Sequence, residues 1–86
     1  MKTRIAVIGI VVEQSDSVPA LNTILHEQAA AIIGRMGIPC RDRGVNVISI
    51  AVDAPEDVIN SLSGRIGRLP GVSAKTAYSS AVFEED

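Results

Sequence analysis

Two segments of this chain are apolar on both sides at once. Residues 5–12 read IAVIGIVV and residues 45–52 read VNVISIAV. Successive side chains of a strand point to opposite faces, so a half-solvated strand shows polar residues at every second position. Neither segment does. The first offers Ala6, Ile8, Ile10 and Val12 to one side and Ile5, Val7, Gly9 and Val11 to the other. The second offers Ile48, Ile50 and Val52 to one side and Val45, Val47, Ser49 and Ala51 to the other. Both therefore predict strands in the middle of a sheet, covered on both faces.

That requirement is hard to meet in 86 residues, because a domain of this size hides only about two-thirds of its unfolded surface. Hydrophobic residues make up 47% of the chain, and Tyr78 and Phe83 are its only aromatics. The excess is aliphatic, and one protomer has too little interior for it.

The remaining elements follow from spacing. Residues 3–13 form the first strand. Ser15-Asp16-Ser17 supplies helix-capping hydroxyl and carboxylate groups, and Pro19 suits a first helical turn. Val18, Leu21, Leu25, Ala29 and Ile32 recur at steps of three or four, the stripe of a helix that Gly34 ends. Residues 35–41 read as a short strand whose Pro39 confines it to a sheet edge. Asp42-Arg43-Gly44 turns the chain into a third strand over residues 45–53. Asp53 and Glu56 bracket Pro55 as a capping arrangement. Val58, Ile59, Leu62, Ile66 and Leu69 form the stripe of a second helix, with Arg65 and Arg68 near its negative end. Leu69-Pro70-Gly71 stops that helix, and residues 72–79 are the last strand.

The order β-α-β-β-α-β predicts an α+β, ferredoxin-like sandwich. Its antiparallel sheet has strand order 4-1-3-2, with two helices on one face. Residues 1–80 form a single domain, and residues 81–86 an acidic flexible tail. The topology puts both doubly apolar strands at the centre of the sheet, with one sheet face uncovered. The bulkier isoleucine set is assigned to the helices. Val7, Val11, Val45, Val47 and Ala51 then lie on the uncovered face, as the interface of a homo-oligomer, a dimer or tetramer.

Composition excludes much else. A single cysteine, Cys40, makes no intrachain disulfide, cysteine-rich zinc site or iron–sulfur cluster. Eight basic against ten acidic residues leave a charge of −2, which argues against direct nucleic acid binding. The apolar run 5–12 is far short of the roughly 20 residues that span a bilayer, so no membrane contact is expected. It ends in Glu13-Gln14-Ser15-Asp16 without a small-residue cleavage site, and a cytoplasmic location is expected.

Candidate chemical residues have plain alternatives. His26 borders the first helix's apolar face; a metal ligand needs companions, and one His and one Cys make at best half a site per protomer. Cys40 fits an inert edge-strand thiol. Glu13, Asp16, Asp53, Glu56 and Asp57 sit at strand ends and helix starts, where capping accounts for them. Gly64 to Arg68 holds two glycines inside a helix, not a phosphate loop. Arg35, Arg41, Arg43, Arg65 and Arg68 fit either an anion-binding rim or scattered solubilising charge. The first loop lacks the glycines and arginine of acylphosphatases and the paired cysteines of soft-metal chaperones. No catalytic residue, metal or cofactor is expected, and the chain reads as a non-enzyme.

The segments Gly34-Arg35-Met36-Gly37-Ile38-Pro39, Val47-Ile48-Ser49-Ile50 and Leu62-Ser63-Gly64-Arg65-Ile66-Gly67, with Pro70-Gly71-Val72 and Lys75-Thr76, are similar to one family. They resemble the iron-only hydrogenase system regulators, small ACT-like proteins, over nearly the whole chain from Arg4 to Tyr78. The resemblance implies an oligomeric regulatory module that senses a small-molecule effector or docks a partner protein. A purely structural interaction module is the alternative. ACT-like domains bind effectors near the loop after the first strand, which here holds Glu13, Ser15, Asp16 and Ser17. The related C-terminal domain of nickel-responsive regulators uses several histidines and a cysteine, a set this chain does not reproduce.

Overall fold

The computed structural model describes residues 1–84. Strand β1 (Lys2–Val12) leads through a 3-10 turn into helix α1 (Val18–Glu27), and strands β2 (Ile32–Cys40) and β3 (Val45–Ala54) form a hairpin. Helix α2 (Glu56–Gly67) and strand β4 (Val72–Glu84) complete the chain. The four strands form one antiparallel sheet in the order β2-β3-β1-β4, the expected order read from the opposite edge.

One core holds the sheet to the helices. Ala6, Ile8, Ile10 and Val12 of β1 and Ile48, Ile50 and Val52 of β3 are buried against Leu21, Ile24 and Leu25 of α1 and Ile59, Leu62 and Ile66 of α2. The isoleucine side of both central strands therefore faces the helices. The β1–β3 register pairs Ile8 with Ile50 and Ile10 with Ile48, so these branched side chains interdigitate in two rungs.

Several boundaries differ from the sequence expectation. Helix α1 ends at Glu27, not at Gly34: Ala29–Ala31 form a 3-10 turn, and Ile32 is already extended at φ −92°, ψ 119°. The β-branched pair Ile32 and Ile33 suits a strand better than a helix. Ile32 pairs with Val52 and Gly34 with Ala51, leaving Ile33 as the extra residue of a bulge. Asp53 does not cap α2. It is still paired in β3 opposite Ile5, one of its carboxylate oxygens is buried without a partner among the described residues, and Pro55 takes the N-cap position.

Residues 81–84, expected as the start of the tail, lie in strand β4. Ala81, Val82 and Phe83 are strand formers, and β4 continues along β1 until Glu84 pairs with Lys2. The amino terminus lies 3.8 Å from the Glu84 carboxylate. The last two residues of the expected tail lie outside the described residues. The longer pairing includes an irregularity: between Arg4↔Val82 and Ala6↔Tyr78, β1 advances two residues while β4 advances four.

Among the described residues, both positive-φ positions are glycines. Gly44, at φ 66°, closes the β2–β3 turn as expected and has open space around it. Gly71, at φ 68°, is crowded: a Cβ there would lie 2.5 Å from Cγ of Gln14. Gly44→Ala should cost about 1–2 kcal/mol for the left-handed backbone alone. Gly71→Ala should cost at least about 1 kcal/mol more, because Gln14 must also move. Urea denaturation of the two variants tests this order; equal losses would refute the crowding argument.

Candidate functional site

The uncovered sheet face is built in rows that the register defines, since directly opposed residues share a face. Ile38, Val47, Val11 and Ser73 make one row across the four strands. Met36, Ser49, Gly9 and Lys75 make the next, and Gly34, Ala51, Val7 and Ala77 the third. Exposure is large for apolar side chains: 43% for Val7, 36% for Val11, 42% for Val47, 62% for Met36 and 56% for Ile38. Val45 and Ala51 are half-buried. Lys75 brings the only charge into these three rows, at the β4 margin.

The loop after β1 is tied down rather than open. The Glu13 amide donates to the Gly71 carbonyl at 2.7 Å, and the Ser17 hydroxyl donates to the Pro70 carbonyl at 2.6 Å. Ser17 is buried, at the N-cap of α1, but its hydroxyl holds the α2–β4 turn and does not cap the helix. Glu13, Ser15 and Asp16 are exposed on the loop surface. The structure thus separates the four loop residues into one anchor and three surface groups.

A polar cluster that the sequence did not signal closes the other end of the sheet. Arg4 pairs with the Glu56 carboxylate and donates to the Ser79 carbonyl at 2.6 Å, and its guanidinium carbon stands 4.3 Å from the centroid of the Tyr78 ring. The Tyr78 hydroxyl donates to Oδ1 of Asn60, with the Glu56 carbonyl 3.5 Å away. Arg4 thereby fixes the β4 irregularity to the start of α2. Burial pushes the Tyr78 phenol above its ordinary value of 10, the Glu56 carboxylate adds to the rise, and Arg4 partly offsets it.

Tyr78 is the only tyrosine and the chain has no tryptophan, so phenolate absorbance reads this cluster directly. Glu56→Gln should lower the titration midpoint and Arg4→Met should raise it; no response to either change would refute the coupling. A raised folded-state value means that the protonated phenol favours folding below pH ~10, where the unfolded phenol titrates, and that this contribution is lost as pH rises through the folded value.

The remaining candidates are dispersed. Among the described residues, no group of three or more His, Cys, Asp or Glu could hold a metal ion. His26 is exposed in the last turn of α1, and Cys40 is half-buried at the end of β2. Arg41 and Arg43 lie in the hairpin turn, Arg65 pairs with Glu27 of α1 at 2.8 Å, and Arg68 ends α2. Among the described residues, no helix is long and apolar enough to cross a membrane. A shallow groove of about 330 Å³ between α1 and β2 is lined by Asn22, Leu25, His26, Ala29, Ile32 and Arg35.

Comparison with known proteins agrees with this architecture. The solved structure of the uncharacterized protein TM1266 from Thermotoga maritima superposes with a TM-score of 0.85 at 30% identity, covering 88% of this chain and 96% of that one. A formyltetrahydrofolate deformylase from Pseudomonas putida KT2440 superposes with a TM-score of 0.60 at 15% identity. It covers 85% of this chain but only 28% of the deformylase, a likeness of fold alone. No curated protein matches. The TM1266-like family model, described as "Iron-only hydrogenase system regulator, putative", matches residues 4–76. The chain belongs to the TM1266-like family.

Proposed function

We propose that this chain is a non-enzymatic regulatory module of an iron-only hydrogenase system, and that it works as a homo-oligomer assembled over its open sheet face. The family supplies the regulatory role. The observation that carries the assembly is the apolar content of that face, where Val7, Val11, Val47, Met36 and Ile38 are solvated in the single chain. Contiguous apolar surface drawn from three strands marks an interaction surface, and a second copy supplies a matching one through a two-fold axis. Sedimentation at micromolar concentration should show a dimer or tetramer, and 9 kDa monomers alone would overturn this reading.

The regulatory part of the proposal is response to a small ligand, with the exposed Glu13, Ser15 and Asp16 as one contact surface. The Ser17–Pro70 bond ties that loop to the end of α2, so a ligand there acts on both helix connections. A thermal-shift screen with amino acids, nucleotides and divalent metals tests it, because binding to the folded state raises the melting temperature by mass action. No response to any class would favour a pure protein-interaction module.

A further inference from the structure

Among the described residues, one arginine is held by a side-chain hydrogen bond without a carboxylate partner. Arg4 is paired with Glu56, and Arg65 with Glu27, so a carboxylate offsets each guanidinium. Arg35 donates from Nη2 to Oδ1 of Asn22 at 3.0 Å, and among the described residues no carboxylate pairs with it. A carboxamide restrains a long edge-strand side chain but leaves its charge unspent. The remaining donors of the planar fork stay available to an anion.

The surroundings give that charge a site. Arg35 lies opposite Ile50 in the register, on the helix side of the sheet, and reaches α1 at Asn22. Asn22 and His26 are four residues apart on α1 and so lie on one face of it. Together the three polar residues rim the groove of about 330 Å³, whose lining is completed by buried Leu25, half-buried Ile32 and the methyl group of Ala29. Among the described residues, no acidic one lines it. An apolar floor with a few convergent polar groups is the usual make-up of a small-molecule site.

We propose that this groove binds a small organic monocarboxylate with a short aliphatic substituent. The carboxylate sits on the Arg35 guanidinium within reach of His26, and the aliphatic part covers Leu25, Ala29 and Ile32. One fixed guanidinium matches one carboxylate in charge and in fork geometry; a phosphate dianion would be left half-neutralised and would gain nothing from the floor. The proposal rests on the ligand-sensing reading above and adds to the loop of Glu13, Ser15 and Asp16 a second contact surface, separate from it, with a chemical class of ligand. The site is on the helix side, opposite the open face, so ligand binding and assembly are separable.

Amide chemical-shift titration of the full chain with isovalerate, acetate and inorganic phosphate tests it. Isovalerate should shift amides of residues 22–35 and bind at least about 5-fold more tightly than acetate, as burial of its branched chain requires. Arg35→Gln should weaken isovalerate at least about 10-fold, the loss of a charge-assisted pair. Arg41→Gln, in the hairpin turn, should leave affinity within about 2-fold, as expected of an exposed charge remote from the ligand. Absence of isovalerate binding, phosphate binding as tightly as isovalerate, or an unchanged Arg35→Gln would each overturn the proposal. Sedimentation of the same sample reports the assembly independently, so the groove can fail while the oligomer stands.

Discussion

Val47→Asp should convert the assembled protein into 9 kDa monomers at micromolar concentration while its circular dichroism stays that of the parent. Val47 lies between Ile38 and Val11 in the most apolar row of the open face. A carboxylate there keeps its water in the monomer, so the fold tolerates it. In an assembly closed over the face it has no counter-charge in its row and must be desolvated, a cost of several kcal/mol. Each 1.4 kcal/mol is tenfold in affinity, so the dissociation constant should rise by more than about 100-fold. Analytical ultracentrifugation reads the result. A variant that stays assembled would place the interface elsewhere; a variant that unfolds would show that the valine side belongs to the core.

The second large effect is on the opposite side of the same strand. Ile50→Ala should cost about 2–5 kcal/mol of stability, the range for emptying a buried isoleucine site. Ile50 has no solvent exposure and lies opposite Ile8, itself fully buried. Rigid strands on either side limit collapse around the vacated volume, which argues for the upper half of that range. In a domain of this size each kcal/mol is worth roughly 4–8 °C, so the upper half of that range lowers the melting temperature by about 15–40 °C. Loss of apolar bulk on the open face behaves differently: Val47→Ala should lower the melting temperature in a concentration-dependent way, through mass action on the assembly. An Ile50→Ala loss under about 1 kcal/mol, well below the range for a buried site, would refute the placement of the core.

What made the central strands legible is that period-two patterning needs no tertiary knowledge: the double-sided runs at 5–12 and 45–52 demanded interior positions, and the sheet order followed. Ends were harder. Ala29 and Ile32 continue the helical stripe of α1 by spacing, yet Ile32 leaves it to pair with Val52, a partner 20 residues away. Local periodicity cannot weigh that distant ladder. The acidic character of the last residues similarly hid Ala81-Val82-Phe83, whose place is set by the free edge of β1. In the groove, the sequence shows Arg35 only as one of five arginines that fit either an anion-binding rim or scattered charge. Its distinction is the Asn22 carboxamide, which the turn at residues 29–31 brings within 3.0 Å.

The pairing of Lys2 with Glu84 has a consequence for the order of folding events. β1 is a central strand, yet one of its two partners is the last described element of the chain. The β2–β3 hairpin can zip locally across its Gly44 turn, and β3 can then recruit β1. The β1–β4 ladder must close a loop of about 80 residues at its outer end, which delays the step by an entropy that local contacts do not repay. During synthesis, β1 therefore waits with one edge unpaired and both faces apolar until β4 emerges. The Arg4 contacts to Glu56, Tyr78 and Ser79 lie along that final seam, so they form a late latch on a sheet already three strands wide.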